Sequence, residues 1–339
     1  MSCKYMNRRE FLRNTAIGGA AFSLGISREE HALNAAQKND IQSTVPEFEV
    51  PVGKIGDITM SRLICGGNLI GGYAHSRDLV YVSELLRNYF TAEKIIETLH
   101  ICEQRGINTL IANIRKNPND AAAINVLNKY WNERGGTIQW IAQCNPRSDD
   151  VRSNIDLAIE NGAVGAFVQG GIGDLWTKNQ RVDLLGKTVE YIKSQGLIAG
   201  VAGHSLQVPM ECEKQGVDVD FYLKTFHHDE YWSATPEQYR KDFIVDQGRS
   251  DNHNKDHDNI WCINPEETKE FMSKVKKPWI AYKVMAAGAI HPREAFEFAY
   301  KNGADFVVAG MFDFQIIEDS ILARNAVQNN QERQRSWYG

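Results

Sequence analysis

Short apolar runs that alternate with amphipathic stretches from residue 62 to residue 327 predict an α/β fold. The expected architecture is a single (β/α)8 TIM barrel with an N-terminal hairpin and long loops after strands 1 and 6. Three observations carry this. Residues 279–313 read as strand, glycine-containing turn, helix, turn and strand. Pro292 stands at a first helical position, Gly303 lies past the last turn, and Phe296, Ala299 and Tyr300 share one face. Strand and helix alternate eight times along the chain after a hairpin. The glycines of Gly66-Gly67-Asn68-Leu69-Ile70-Gly71 lead into a long loop, whereas a doubly wound sheet would run straight from such glycines into a helix.

In chain order, residues 48–61 carry Gly53 and Gly56 between short apolar stretches, which suits a hairpin. Strands are expected at 62–65, 107–112, 138–143, 165–168, 198–203, 221–225, 279–285 and 305–311. Each is a short apolar run closed by polar or glycine residues, as in a parallel sheet covered on both faces. Helices are expected from about residue 91, then at 121–134, 150–160, 182–194, 208–214, from 264, from 292, and at 314–327. Asn264-Pro265 with Glu267 gives a helix start with an Asn cap and a Pro in the first position. The long loops are residues 70–90 and 229–263, both over the same end of the barrel.

Residues 1–36 read as a twin-arginine export signal, with Arg8-Arg9 followed by Phe11-Leu12-Arg13 and an apolar run at 15–26. That run is too short to span a bilayer. Residues 37–47 read as a linker and residues 48–339 as the barrel domain. The expected location is periplasmic or secreted, with the translocation machinery as a partner and no stable membrane anchor. A net charge of −5 without a basic stripe argues against nucleic acid. Cys65, Cys102, Cys144, Cys212 and Cys262 remain after the signal, an odd number without a CxxC pair, which disfavours a disulfide framework or structural zinc.

In a barrel the chemistry belongs at the C-terminal ends of the strands. Lys283, His204 and His227 are the candidate catalytic residues. A lysine in an apolar strand is either paired or chemically used, and imidazole moves protons near neutral pH. Asn68, His75, Asn113, Gln143, Gln169, Lys224 and Trp261 are candidate substrate contacts, the amides for hydroxyl groups and the indole for stacking. His204, His228, Glu230 and Asp313 could ligate a divalent cation, Zn or Mn, although they form no spaced motif. Asp313 is equally readable as a helix cap, and one of His227-His228 as a partner of backbone or substrate. His253 and His257 read as solvated loop residues.

The segment VGKIGDITMSRLICGGN, followed by a helix and GINTLIAN, resembles the start of aldo/keto reductases. The likeness extends over the barrel. It implies the fold, with NADP as the family's cofactor, but does not carry the family's catalytic tetrad. The place of its Asp holds Ile111, and no Tyr occurs in residues 113–119. Gln143 stands for its Lys and Gln169 for its His. Nor does the final strand–helix unit hold a basic cluster for a 2′-phosphate. The twin-arginine start with GGNLIGGYAHSRD and AGMFDFQ also resembles a group of exported bacterial barrel proteins.

The expected function is therefore an exported carbohydrate-active enzyme, a lyase, hydratase or isomerase on a sugar or keto-sugar, assisted by a divalent metal ahead of NADP. The alternatives are an NADP-dependent reductase with a rearranged site and a non-catalytic sugar-binding barrel. No strand end offers the carboxylate pair of a glycoside hydrolase.

Overall fold

The computed structural model describes residues 49–73, 79, 81–113, 118–243 and 261–339. The expected export signal and linker, His75, His253 and His257 lie outside the described residues. Glu49–Gly339 forms one compact unit. No described helix is long and apolar enough to cross a membrane.

A hairpin of β1 (Val52–Ile55) and β2 (Ile58–Ser61) opens this unit. Gly56 takes its turn with φ of 57°, where a side chain would be strained. Eight parallel strands follow and close on themselves. They are β3 (Leu63–Gly66), β4 (Thr109–Asn113), β5 (Gln139–Cys144), β6 (Gly165–Val168), β7 (Ile198–Gly203), β8 (Phe221–Thr225), β9 (Trp279–Tyr282) and β10 (Phe306–Ala309). Closure runs through Val307 opposite Leu63.

Inside the barrel, Ile64, Ile111, Ile141, Phe167, Ile198, Phe221, Leu223, Ile280 and Phe306 form one buried cluster, and Ile55 and Met60 of the hairpin close it from below. Each such side chain contributes about 1.5–3 kcal/mol by leaving water. The cluster also sets the register. Side chains alternate along a strand, so Asn113, Gln143, Gln169, His204 and Tyr282 face the barrel axis above it.

The helices are α1 (Val82–Tyr89), α2 (Ala92–Gln104), α3 (Pro118–Arg134), α4 (Ser153–Glu160), α5 (Gly170–Lys178), α6 (Val182–Ser194), α7 (Gln207–Gln215), α8 (Pro265–Lys274), α9 (Pro292–Lys301) and α10 (Ile316–Asn329). Two are additions to the expected pattern. Helix α1 occupies part of the loop after the first barrel strand, and α5 follows β6 directly. The seventh barrel strand is also shorter than expected. It ends at Tyr282 because Lys283 takes a left-handed φ of 56°.

At the opposite end, the buried carboxylate of Asp305 accepts from Arg333 at 2.7 Å and Arg335 at 2.6 Å. Arg62 donates to the Asp305 carbonyl at 2.9 Å and lies 4.2 Å from the centre of the Trp337 ring. This clasp holds the last residues of the chain across the barrel floor.

Candidate active site

The upper end of the barrel gathers its reactive groups on one side. His204 follows β7 and faces the axis, with 9% of its surface exposed. Its Nδ1 lies 2.8 Å from Asp174 Oδ2, while Asp174 Oδ1 accepts from the backbone N–H groups of His204 at 2.9 Å and Ser205 at 3.0 Å. Asp174 is wholly buried on α5. Its carboxylate can only accept, so Nδ1 of the neutral ring carries the proton and Nε2 is left as an acceptor at the barrel mouth. Burial lowers the His204 pKa below its ordinary value, Asp174 opposes this, and Lys283 and Lys224 reinforce it. The imidazole is therefore a neutral base with a fixed tautomer.

Tyr282, the last residue of β9, reaches the same place. Its ring centre is 5.4 Å from that of His204, and its buried hydroxyl has no hydrogen-bond partner. Burial, with Asp174 as the lesser cause, holds the phenol pKa well above its ordinary value, so it remains a donor. Gly170 lets both side chains pack against the start of α5. A Cβ there would lie 2.5 Å from the Tyr282 hydroxyl oxygen and 3.0 Å from His204 Cε1. Lys283 folds its ammonium over Trp261, 3.8 Å from the ring centre, and Trp261 lies 5.7 Å from the His204 ring. Across the mouth, Asn145 Nδ2 donates to Asn113 Oδ1 at 2.8 Å, and Gln143 is half-buried beside them.

The structure thus brings His204, Lys283 and Trp261 together, and adds Asp174, Tyr282 and Gly170. Other candidates have different surroundings. His227 is buried with both ring nitrogens engaged by backbone: Nδ1 donates to the His228 carbonyl at 2.7 Å, and Nε2 accepts from Trp261 N at 3.1 Å and Cys262 N at 3.0 Å. Burial pushes its pKa down to about 4, so the ring is a neutral buckle for the returning loop. Lys224 is opposite in parity to Leu223 and points behind the sheet, where Nζ donates to Thr225 O at 2.9 Å and Thr225 Oγ1 at 2.8 Å. Gln169 caps α5 by accepting from Ile172 N at 3.0 Å. Asn68 is exposed.

The four proposed metal ligands do not converge. His228 Nε2 stands 3.1 Å from Glu294, and Glu230 is exposed. Asp313 accepts from Lys94 at 2.9 Å and from the Tyr89 hydroxyl. Among the described residues no group of three or more His, Cys, Asp or Glu side chains could hold a metal ion.

No family model matches the chain, and no curated protein matches it. Solved structures do. One described as an aldo-keto reductase from Pseudomonas aeruginosa matches with a TM-score of 0.55 at 14% identity, over 85% of this chain and 98% of that one. An aldo-keto reductase from Bacillus halodurans, in its holo form, matches with a TM-score of 0.53 at 12% identity, over 86% of this chain and 98% of that one. The chain has an aldo-keto reductase-like barrel. These neighbours are oxidoreductases, which corrects the expectation of an exported carbohydrate-active lyase, hydratase or isomerase. The reductase alternative is the one they match.

Proposed function

We propose that the barrel mouth interconverts a hydroxyl and a carbonyl group on a small molecule, as an oxidoreductase using a nicotinamide dinucleotide. The carrying observation is His204, buried, neutral and held by Asp174 with Nε2 toward the mouth. In the oxidation direction Nε2 takes the proton of the substrate hydroxyl. Asp174 holds the ring in the required tautomer and stabilises the imidazolium that forms. Lys283 and Lys224 oppose that positive charge, so the proton is readily released or returned. The Tyr282 hydroxyl donates to an oxygen of the substrate, and its unpartnered state is the feature a bound oxygen would relieve.

The cofactor would supply the hydride acceptor. Asn113, Gln143 and Asn145 are suited to hold its carboxamide, since a side-chain amide both donates and accepts. In the region after β10, where the resemblance places a 2′-phosphate, residues 311–315 contain Asp313 and no basic residue. These residues fit NAD better than NADP. Asp, Tyr, Lys and His, the residue types of the family's tetrad, recur here as Asp174, Tyr282, Lys283 and His204 from different elements.

The test is fluorescence titration with NADH and NADPH, followed by turnover of a panel of alcohols and carbonyl compounds by wild type and His204→Gln. NADH binding and a loss of turnover of about 100-fold in the variant are expected. Failure to bind either dinucleotide, or full activity of the variant, would remove the proposal.

A further inference from the structure

Lys224 lies on β8 behind the sheet and is wholly buried. A lysine is almost never buried to that degree without a counter-charge beside it. Among the described residues Lys224 makes no ion pair, and its ammonium donates to the Thr225 carbonyl at 2.9 Å and the Thr225 hydroxyl at 2.8 Å. Thr225 passes the contact on. Its hydroxyl stands 3.1 Å from the His204 carbonyl and 2.9 Å from the Trp261 carbonyl. One oxygen atom thus joins the ends of β7 and β8 to the loop that returns to α8. His204 stands at the end of β7, and on that loop Trp261 carries the Lys283 ammonium over its ring.

We propose that Lys224 is the positioning residue of the candidate base: through Thr225 it fixes the backbone of His204 and Trp261, and its buried positive charge favours the uncharged imidazole. Its role in turnover rests on the oxidoreductase reading above, but its hold on the histidine does not. Tethering alone needs no charge, and a buried ammonium is costly to keep. What the charge adds is its effect on the rings nearby. His204 faces Asp174 from α5, Tyr282 from β9, Lys283 from the turn after β9 and Lys224 from β8. Burial favours the neutral ring, Asp174 favours the imidazolium, and the two lysines oppose Asp174. Asp174 can therefore fix the tautomer without drawing a proton onto Nε2. Around Lys224, burial disfavours the ammonium, while Cys262, Asp174 and Asp242 favour it. His227, held neutral chiefly by its burial, is a second ring that feels the same charge.

NMR titration of ring-labelled histidines in the full chain tests this, with His204→Gln and His227→Gln used for assignment. Lys224→Met removes the charge and keeps an unbranched side chain. It should raise the midpoints of both rings, that of His204 by at least about one pH unit. The acid limb of turnover should move up with it. Thr225→Val keeps the charge and cuts the tether, so turnover should fall roughly tenfold while the His204 midpoint stays near its wild-type value. Thermal melts check folding, and Lys224→Gln takes the place of Lys224→Met if that variant does not fold. An unmoved His204 midpoint in the folded Lys224 variant would overturn the proposal. So would an equal rise in Thr225→Val, since loosening alone would then account for it. Midpoints that move as expected in a chain that binds neither dinucleotide would keep the hold of Lys224 on His204 and remove the oxidoreductase. Dinucleotide-dependent turnover that is unchanged in rate and pH profile in Lys224→Met would do the reverse.

Discussion

At the scale of single residues, protonation of two histidines separates chemistry from architecture. On the proposed reading neutral His204 is the base, so the rate of alcohol oxidation should be flat above about pH 6.5 and fall as pH drops through its lowered pKa. Asp174→Asn removes the interaction that raises this pKa, so the acid limb should move to lower pH. An amide at position 174 can also donate to Nδ1 and favour the wrong tautomer, and the plateau should fall at least about 100-fold. A pH–rate profile of both proteins checks this. His227 affects stability instead. Its folded pKa of about 4 lies below its unfolded value, so the unfolded chain binds the extra proton. Its contribution is full above about pH 6.5 and is lost as pH falls toward 4, amounting to about 3 kcal/mol. Urea unfolding from pH 7 to 4 should show this loss in wild type and less of it in His227→Gln. Neither behaviour could be read from the residue type. Both are histidines at the end of an apolar strand, and their different partners lie about 30 positions away in the chain.

At the scale of elements, α5 is the part that periodicity passed over. Gly170, Gly171 and Gly173 within nine residues read as a turn, since each disfavours a helix interior by about 1 kcal/mol. Packing outweighs that penalty. A Cβ on Gly173 would lie 2.1 Å from the Ala202 carbonyl oxygen, so the glycine allows α5 to approach β7 and bring Asp174 to His204. Gly173→Ala should push the helix back, cost about 1–3 kcal/mol of stability and lower turnover along with it. Thermal melts and kcat together test the coupling. The barrel-floor clasp is a second element that spacing did not show. Asp305→Asn would leave Arg333 and Arg335 buried without their counter-charge, and calorimetry should record a loss of about 3–5 kcal/mol. By contrast, β6 and β8 fall at the expected residues, and Pro292 opens α9 as its position predicts. Those signals are local, set by backbone dihedrals and by alternation of apolar side chains.

For the whole molecule, parity is what links fold to site. Ile141, Phe167 and Ile280 fill the interior, so the residues two positions on must line the space above them. The chain's own pattern of apolar runs, glycines and prolines determined eight strands, their order and the end of the barrel where polar side chains collect. It also led to His204, Lys283 and Trp261, because they stand at strand ends or on a returning loop. Tertiary structure alone decided that Asp174 holds His204, that Tyr282 arrives without a hydrogen-bond partner and that both pack against Gly170. It also turned Lys224 behind the sheet and gave His227 to the backbone. The reason is range. Local pattern reports the dihedral and solvent preferences of near neighbours, whereas the contacts of the candidate site depend on where barrel closure places residues 30 to 112 positions apart.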